Sequence, residues 1–238
     1  MSRNQIKWFA MLMMVIDHLA VAFLPVNTPL YFVCRGVCGR IAYPLFIVLF
    51  LEGMQRSRHL QRKAIDLCLF ALVSEVFFDR ALWGSWYFAG AQNVMWSWLL
   101  GLFLVMGCMY FRKCRENCTL TRGMQTGITA IWLLVVCMLA AWFRVDYGIA
   151  GVLCMFAGYC WMQARSSAAL WQIGMVVAVT EAVLTLQPGV LLAVVVLSLY
   201  QPEKDGRKPF TAYMKYGFYA VYPVHLAVIA AVRMLTGA

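Results

Sequence analysis

Long apolar runs are the feature that most constrains what this chain can fold into. Runs of roughly 17 to 22 apolar residues, each long enough to cross a bilayer as a helix, recur from one end to the other. Hydrophobic residues make up 63% of the chain and charged residues only 13%, about half the charged fraction of a soluble domain. The runs are continuous and do not alternate, which disfavours a closed β-barrel. The sequence therefore predicts an all-α, polytopic integral membrane bundle.

The apolar pattern predicts about nine transmembrane helices in one domain. No Gly/Ser-rich or Pro-rich linker divides residues 1–238, so we expect a single integral membrane domain. The first run lacks a small-residue cleavage site, which favours a retained helix over a signal peptide. The predicted helices are 6–24, 31–53, 64–80, 94–111, 124–142, 147–163, 168–184, 189–200 and 216–235.

The basic residues predict the orientation of these helices. The formal net charge is +10, and 15 of the 20 lysines and arginines fall before the first helix or at alternate junctions. This asymmetry is typical of cytoplasmic loops, so we expect a cytoplasmic N-terminus, and it argues against nucleic acid as the partner. The fifteen are Arg3, Lys7, Arg56, Arg58, Arg62, Lys63, Arg112, Lys113, Arg115, Arg122, Arg165, Lys204, Arg207, Lys208 and Lys215.

The nine cysteines do not suggest a metal site. Most lie inside predicted helices, where cysteine behaves as a small apolar residue. Cys114 and Cys118 lie in a predicted loop, but they lack CxxC spacing and a nearby histidine. We therefore expect no bound metal.

Several ionisable residues lie deep within the predicted helices. Asp17 lies about 17 Å from the start of the first helix, and Arg40 and His225 about 14 Å from the starts or ends of theirs. A charged side chain at such depth costs about 3 kcal/mol. These groups, with Arg35, are therefore expected to face the bundle interior or a wet cavity.

Two roles are open for the buried polar residues. One is an ion pair between Asp17 and Arg40 that fixes helix packing. The other is chemistry at His18 and His225, because histidine transfers protons near neutral pH. Neighbouring residues on a helix point about 100° apart, so Asp17 need not orient the ring of His18 and is free to hold Arg40.

Five sequence blocks, in order along the chain, resemble the TraX family of integral membrane acetyltransferases. The DH pair of the first block and the GR-x-A-Y-P-L-F segment of the second are the most specific. The blocks are IKWFAMLMMVIDHLAVAFL, GRIAYPLFIVLFLEG, LFALVSEVFFD, VDYGIAGVLCMFAGY and YGFYAVYPVHLAVI.

The resemblance implies a transferase in the bacterial cytoplasmic membrane. It implies acetyl-CoA as co-substrate and an amine or hydroxyl acceptor, such as a peptide N-terminus. Glu75 stands where glutamine or another polar residue would be expected, which puts acceptor choice in question. The residues carried over from the matched blocks are Asp17, His18, Arg40, Asp146, Tyr147 and His225.

A mechanism that fits these residues places CoA phosphates at the cytoplasmic side and chemistry near mid-membrane. His18 is the expected general base, and Arg40 or a backbone donor near Gly39 the expected oxyanion donor. His225 or Tyr222 is expected to protonate the leaving thiolate or position the acceptor. The expected phosphate ligands are Arg56, Arg58, Lys63, Arg112 and Lys113, and the other expected substrate contacts are Arg35, Asp146, Tyr147 and Glu75.

The opposite side of the bundle is predicted to be acidic. Glu75, Asp79, Asp146 and Glu181 fall near the outer helix ends, where they would attract a positively charged acceptor.

Two functions from other classes remain open. Buried Asp, His and Arg residues also form the proton relays of transporters. A non-catalytic assembly factor of a conjugation or secretion apparatus is the third possibility.

Overall fold

The computed structural model describes residues 1–165, 169–201 and 212–237, without the side chains of residues 212–215. Every regular element in these ranges is helical. The α-helices are α1 (Arg3–Phe23), α2 (Pro29–Val33), α3 (Gly39–Gln55), α4 (Leu60–Phe78), α5 (Val94–Glu116), α6 (Arg122–Trp142), α7 (Gly148–Ala164), α8 (Leu170–Thr185), α9 (Leu192–Ser198) and α10 (Ala212–Thr236). A π-helical segment, Cys34–Cys38, joins α2 to α3; a second, Asp79–Trp83, follows α4; and a 3₁₀ turn, Pro188–Leu191, precedes α9.

Local sequence signals set several helix starts. The Ser2 hydroxyl accepts a hydrogen bond from the Gln5 backbone, and the Gln5 side chain accepts one from the Ser2 backbone. This capping box satisfies amides that α1 cannot pair internally. The side-chain oxygens of Thr28, Asn93 and Thr121 each accept a hydrogen bond from a backbone amide and so cap α2, α5 and α6.

The predicted membrane-helix fold is confirmed. Among the described residues, five helical stretches are long and apolar enough to cross a membrane: Arg3–Phe23, Pro29–Gln55, Val94–Glu116, Arg122–Trp142 and Tyr216–Thr236. The apolar helices Gly148–Ala164, Leu170–Thr185 and Pro188–Ser198 are shorter. The protein is therefore a multi-pass membrane protein, and the count of nine transmembrane helices stays a prediction.

Helix α3 lies at the centre of the bundle and α6 at its edge. Most residues of α3 are buried, whereas α6 buries only three. Close packing around α3 depends on small residues: a methyl group at Gly158 would lie 2.8 Å from Leu51 and 2.9 Å from Val177. Side chains of α6 such as Ile131 and Leu134 face outward, where lipid covers them.

The bundle has two ends that differ chemically. At the basic end, where α1 begins and α3 ends, Arg3 of α1 pairs with Glu52 of α3 at 3.1 Å. At the far end, α1 ends and α2 begins, and the backbone of Gln92 pairs with residues 144 and 146. The predicted basic junction at Lys204, Arg207 and Lys208 lies outside the described residues, as does the side chain of Lys215.

Candidate functional site

A cavity of about 660 Å³ runs from the basic end to the buried residues Asp17 and His18. Helices α1, α3, α4, α5 and α10 supply most of its lining, and Arg56, Ser57, His59, Asp146 and Tyr147 supply the rest. Ligand and cofactor sites of proteins commonly measure about 300–1,000 Å³. The cavity is therefore large enough for a small molecule or part of a cofactor.

The mouth of this cavity is strongly cationic. It includes the exposed side chains of Arg56, His59 and Arg62, so it reaches the protein surface. Clustered guanidinium and ammonium groups are suited to binding phosphates. The cationic residues that line the mouth are Arg3, Lys7, Arg56, Arg62 and Lys63.

Glu52 neutralises part of this charge. Its carboxylate pairs with Arg3 at 3.1 Å and with Arg56 at 2.6 Å. Two of the cations also lie over aromatic rings, with the Lys63 ammonium 4.1 Å from the Phe50 ring centre and that of Lys7 5.0 Å from the Phe218 ring centre. Five cationic side chains line the mouth, and Asp66, beside Tyr219 of the lining, adds a second carboxylate nearby, so positive charges outnumber negative ones.

The walls between the mouth and the deep end are aromatic and aliphatic. Trp98 of α5 packs against Phe50 of α3, with ring centres 5.0 Å apart, and tilts against Tyr43 at 5.6 Å. Met11 and Met14 of α1 complete this part of the lining. Such a passage accommodates an extended, mostly apolar arm better than a second charged group.

At the deep end, Asp17 pairs with Arg35. The Arg35 Nη1 atom donates to Asp17 Oδ2 at 2.6 Å. The predicted pair between Asp17 and Arg40 is not formed. Arg40 does not line the cavity; instead its guanidinium carbon lies 6.0 Å from the Tyr147 ring centre. Arg35 lies in the π-helical segment Cys34–Cys38, in which side chains are spaced differently from those of an α-helix.

Gly39 provides the space that Asp17 occupies. A methyl group at Gly39 would lie 2.1 Å from Asp17 Oδ1, so a side chain there would displace the carboxylate. The Gly39 backbone N–H already donates to the Cys34 carbonyl. The Gly39 amide is therefore engaged within the helix, and an oxyanion donor at Arg40 or on the backbone near Gly39 stays a prediction.

His18 and His225 are in direct contact. The Nδ1 atom of His18 lies 2.7 Å from the Nε2 atom of His225. The Nδ1 atom of His225 lies 2.8 Å from the Val221 carbonyl oxygen. His18 is buried and lines the cavity, whereas His225 lies behind it, outside the lining. The two intramembrane histidines thus form one hydrogen-bonded unit.

Tyr222 lies beside both histidines. Its ring meets theirs edge-on, with ring centres 6.0 Å from His18 and 5.5 Å from His225. Tyr222 lines the cavity and is buried, and the Val94 backbone N–H is directed at its hydroxyl oxygen. A hydroxyl that accepts a hydrogen bond still carries a hydrogen that it can donate to a ligand.

Asp146 and Tyr147 close another part of the deep end. The Tyr147 ring stacks on Tyr43 with centres 3.5 Å apart, and its backbone is left-handed, with φ of 62°. The Asp146 carboxylate accepts from the Tyr147 amide at 3.0 Å, and the Ser97 hydroxyl donates to the Asp146 carbonyl. Burial raises the pKa of Asp146, which lies in the loop between α6 and α7, while Arg35 and Arg40 oppose that rise.

The acidic residues near the far end do not form an exposed rim. Asp79 and Glu181 are 2% and 1% exposed. Glu75 accepts hydrogen bonds from Trp96 Nε1 at 2.8 Å and from the Asn93 side chain at 2.5 Å. Glu75 and Asp146 are half-buried, so these four residues do not form the predicted acidic outer surface.

The predicted phosphate ligands are divided between different places. Arg56 and Lys63 line the cavity mouth, whereas Arg58 lies on the adjoining loop outside the cavity. Arg112 pairs with Glu116 at 2.9 Å and donates to Gln163, and neither it nor Lys113 lines the cavity. The predicted substrate contacts Arg35 and Glu75 also lie outside the cavity lining.

Some lining residues were not predicted as site residues. Arg3 and Lys7 were recognised only as topology signals, and Trp98 and Tyr43 were not singled out. Arg3 and Lys7 could have been predicted from their position, because they lie near the start of the helix that carries His18. Within the described part of the chain, His, Cys, Asp and Glu residues form no group of three suited to a metal.

Comparisons with known proteins place the chain in a family. A relative from Dichelobacter nodosus, named "Probable fimbrial assembly protein FimC, serogroup H1", is 26% identical over 250 aligned positions, which cover 98% of this chain and 99% of the relative. No solved structure gave a significant match. A family model described as "TraX protein" matches residues 2–233. The chain therefore belongs to the TraX family.

Proposed function

We propose that this protein is a membrane acyltransferase that moves an acetyl group from acetyl-CoA to an amine or hydroxyl acceptor. The observation that carries the proposal is that one cavity connects a cationic mouth, suited to phosphates, with the buried His18. A soluble, charged donor would bind at one end of this cavity and react at the other. Membership of the TraX family is consistent with the same chemistry.

The donor would occupy the cavity along its length. Arg3, Arg56 and Lys63 would hold the CoA phosphates at the mouth. The pantetheine arm would lie against Phe50 and Trp98 and bring the thioester towards His18. Because CoA is cytosolic, the basic end would face the cytoplasm, in agreement with the distribution of lysine and arginine. In a bacterium the proposed membrane is the inner one.

His18 would act as the general base of the transfer. The acceptor nitrogen or oxygen attacks the thioester carbonyl carbon, and His18 takes the proton that the acceptor loses. The new C–N or C–O bond forms as the C–S bond breaks, and the same proton then neutralises the departing thiolate. Tyr222 is the best-placed donor for the oxyanion, because its hydroxyl-bearing ring lines the cavity beside His18.

An assembly factor without catalysis is the second candidate. The printed name of the Dichelobacter nodosus relative supports it, since that protein is called a probable fimbrial assembly protein. The two candidates are compatible if the acceptor is a subunit of a surface fibre. A proton-coupled transporter remains the third, and pH-gradient-driven uptake by proteoliposomes would favour it.

The decisive experiment measures release of CoA thiol from labelled acetyl-CoA by purified protein in nanodiscs. The acceptor panel should include a peptide with a free N-terminus, the same peptide with a blocked N-terminus, and a neutral sugar. We expect release that depends on one acceptor and falls about 10²- to 10⁴-fold in His18→Gln. Acceptor-dependent release that survives in His18→Gln removes this residue from the chemistry, and no release with any acceptor favours the assembly factor.

A further inference from the structure

The two histidines are joined in a chain that begins at a backbone carbonyl. Val221 O lies 2.8 Å from His225 Nδ1, and His225 Nε2 lies 2.7 Å from His18 Nδ1. The two ring planes differ by only 2°, and their centres are 5.0 Å apart. That separation exceeds the N–N distance by about the two ring radii, so the rings meet end to end in one plane. This is the best geometry for an N–H···N hydrogen bond.

The direction of the hydrogen bonds follows from what each atom is able to do. A carbonyl oxygen only accepts, so His225 Nδ1 carries the hydrogen that it shares with Val221. In a neutral ring this leaves His225 Nε2 as an acceptor. His18 Nδ1 must then be the donor, and His18 Nε2 is left without a hydrogen. The Val221 carbonyl, acting through His225, thereby determines that Nε2 is the nitrogen of His18 that is free to take a proton.

We propose that His225 is a positioning residue that selects the proton-accepting tautomer of His18. This inference rests on the proposed function and assigns His225 a role different from that of an acid for the thiolate. His225 does not line the cavity, so it acts through His18 without touching substrate. It holds the His18 ring in plane and keeps its Nε2 atom basic.

A neutral partner is needed because the adjacent carboxylate is engaged elsewhere. Asp17 is bound to Arg35 and projects about 100° away from His18 on α1. In catalytic triads a carboxylate holds the base in its correct tautomer. Here an imidazole anchored on Val221 serves that purpose and adds no further charge at this depth.

The tautomer is measured directly by ¹⁵N NMR of histidine-labelled protein in nanodiscs. The chain contains 3 histidines, so His18→Gln and His59→Gln assign the signals. We expect His18 with a protonated Nδ1 and a bare Nε2, and His225 with the same pattern. A His18 signal protonated at Nε2 would overturn the proposal. This measurement needs no turnover, so it decides the tautomer even if acetyl transfer is not found.

Activity of a matched pair of variants tests the role in catalysis. The carbonyl oxygen of His225→Gln reaches the position of the imidazole Nε2 atom, whereas that of His225→Asn, one methylene shorter, does not. We expect kcat in His225→Gln within about 10-fold of wild type and a fall of about 10²- to 10⁴-fold in His225→Asn, with the KM for acetyl-CoA unchanged in both. The control Val228→Ala alters an exposed residue on the same helix.

The outcomes separate the two proposals. Equal kcat values for His225→Gln and His225→Asn, or a wild-type kcat in His225→Asn, would refute the positioning role while leaving acetyl transfer intact. Absence of acetyl transfer from the wild-type protein would refute the proposed function, and the NMR measurement would still confirm or refute the tautomer. A purely structural role for His225 predicts loss of folded protein in both variants, which size-exclusion chromatography detects.

Discussion

The basic end and the far end of the bundle use ionisable residues in opposite ways. At the basic end, Arg56, Arg62 and His59 are exposed around the mouth of a cavity. Towards the far end, Asp17 is held by Arg35, and Glu75 is held by Trp96 and Asn93. The charges near water lie where a ligand can reach them, whereas the charges at depth contact groups on other helices.

The histidine pair differs from both groups. It lies at depth, yet a neutral imidazole pair does not carry the cost of a buried charge. His18 is therefore polar enough for chemistry without needing a counter-ion. This distinction between exposed charge, paired charge and neutral polar groups leads to four tests, which follow in order of decreasing expected effect.

The largest effect is expected at the far-end ion pair. Arg35→Gln leaves the Asp17 carboxylate buried without its partner, which should lower the free energy of unfolding by about 3–5 kcal/mol. SDS titration in mixed micelles measures this change. The double variant Asp17→Asn/Arg35→Gln should be more stable than Arg35→Gln alone. If Arg35→Gln unfolds like wild type, the pair does not hold the far end together.

A smaller loss is expected from Gly39→Ala. The new methyl group would lie 2.1 Å from Asp17 Oδ1, and overpacking of this kind costs about 1–3 kcal/mol. Gly36→Ala is the matched control on the same stretch of helix, because its nearest neighbour is Phe32 at 3.8 Å. Thermal unfolding of the two variants in parallel should separate them, and equal midpoints would contradict the packing argument.

At the mouth, loss of charge should weaken ligand binding more than folding. Lys63→Gln is expected to weaken acetyl-CoA binding up to about 10-fold, equivalent to about 1.4 kcal/mol, with less effect at high salt. Isothermal titration calorimetry at two salt concentrations measures it. Arg112→Gln removes a cation outside the cavity and serves as the control. Equal weakening by both variants would mean that general surface charge, and not the mouth, binds the ligand.

The smallest effect is expected on the lipid-facing side of α6. Leu134→Ala should change the free energy of unfolding by less than about 0.5 kcal/mol, because this side chain is exposed. Leu102→Ala, at a fully buried position of α5, should cost about 2–5 kcal/mol in the same assay. A large effect at Leu134 would instead indicate that another protein surface covers α6.

The long helices could be predicted from the sequence because the thickness of the bilayer sets how many consecutive apolar residues a spanning helix needs. The predicted helix 6–24 is observed as Arg3–Phe23, and 124–142 as Arg122–Trp142. The differences arise at the ends, where caps such as Ser2 and Thr121 begin the helix earlier than the apolar run does. Hydropathy predicts which residues lie within the lipid, whereas capping residues mark where the first backbone amides of a helix find hydrogen-bond partners.

The partner of Asp17 could not be read in the same way. Arg35 and Arg40 lie on the same membrane-crossing stretch, and depth alone favoured Arg40. The segment Cys34–Cys38 is π-helical, which shifts the angular position of every later side chain relative to an α-helix. A hydrophobic pattern does not reveal that shift. Depth also put His18 and His225 at similar levels, and these two side chains are in contact in the structure.

Under the proposed function, the size of the cavity limits what kind of acceptor could be modified. A space of about 660 Å³ that would also receive the arm of a donor would have no room for a folded domain. The acceptor would have to enter as a narrow, extended segment, such as a flexible chain terminus or a single small residue. A large acceptor would therefore have to insert one flexible end into the cavity while its folded part stayed outside the membrane.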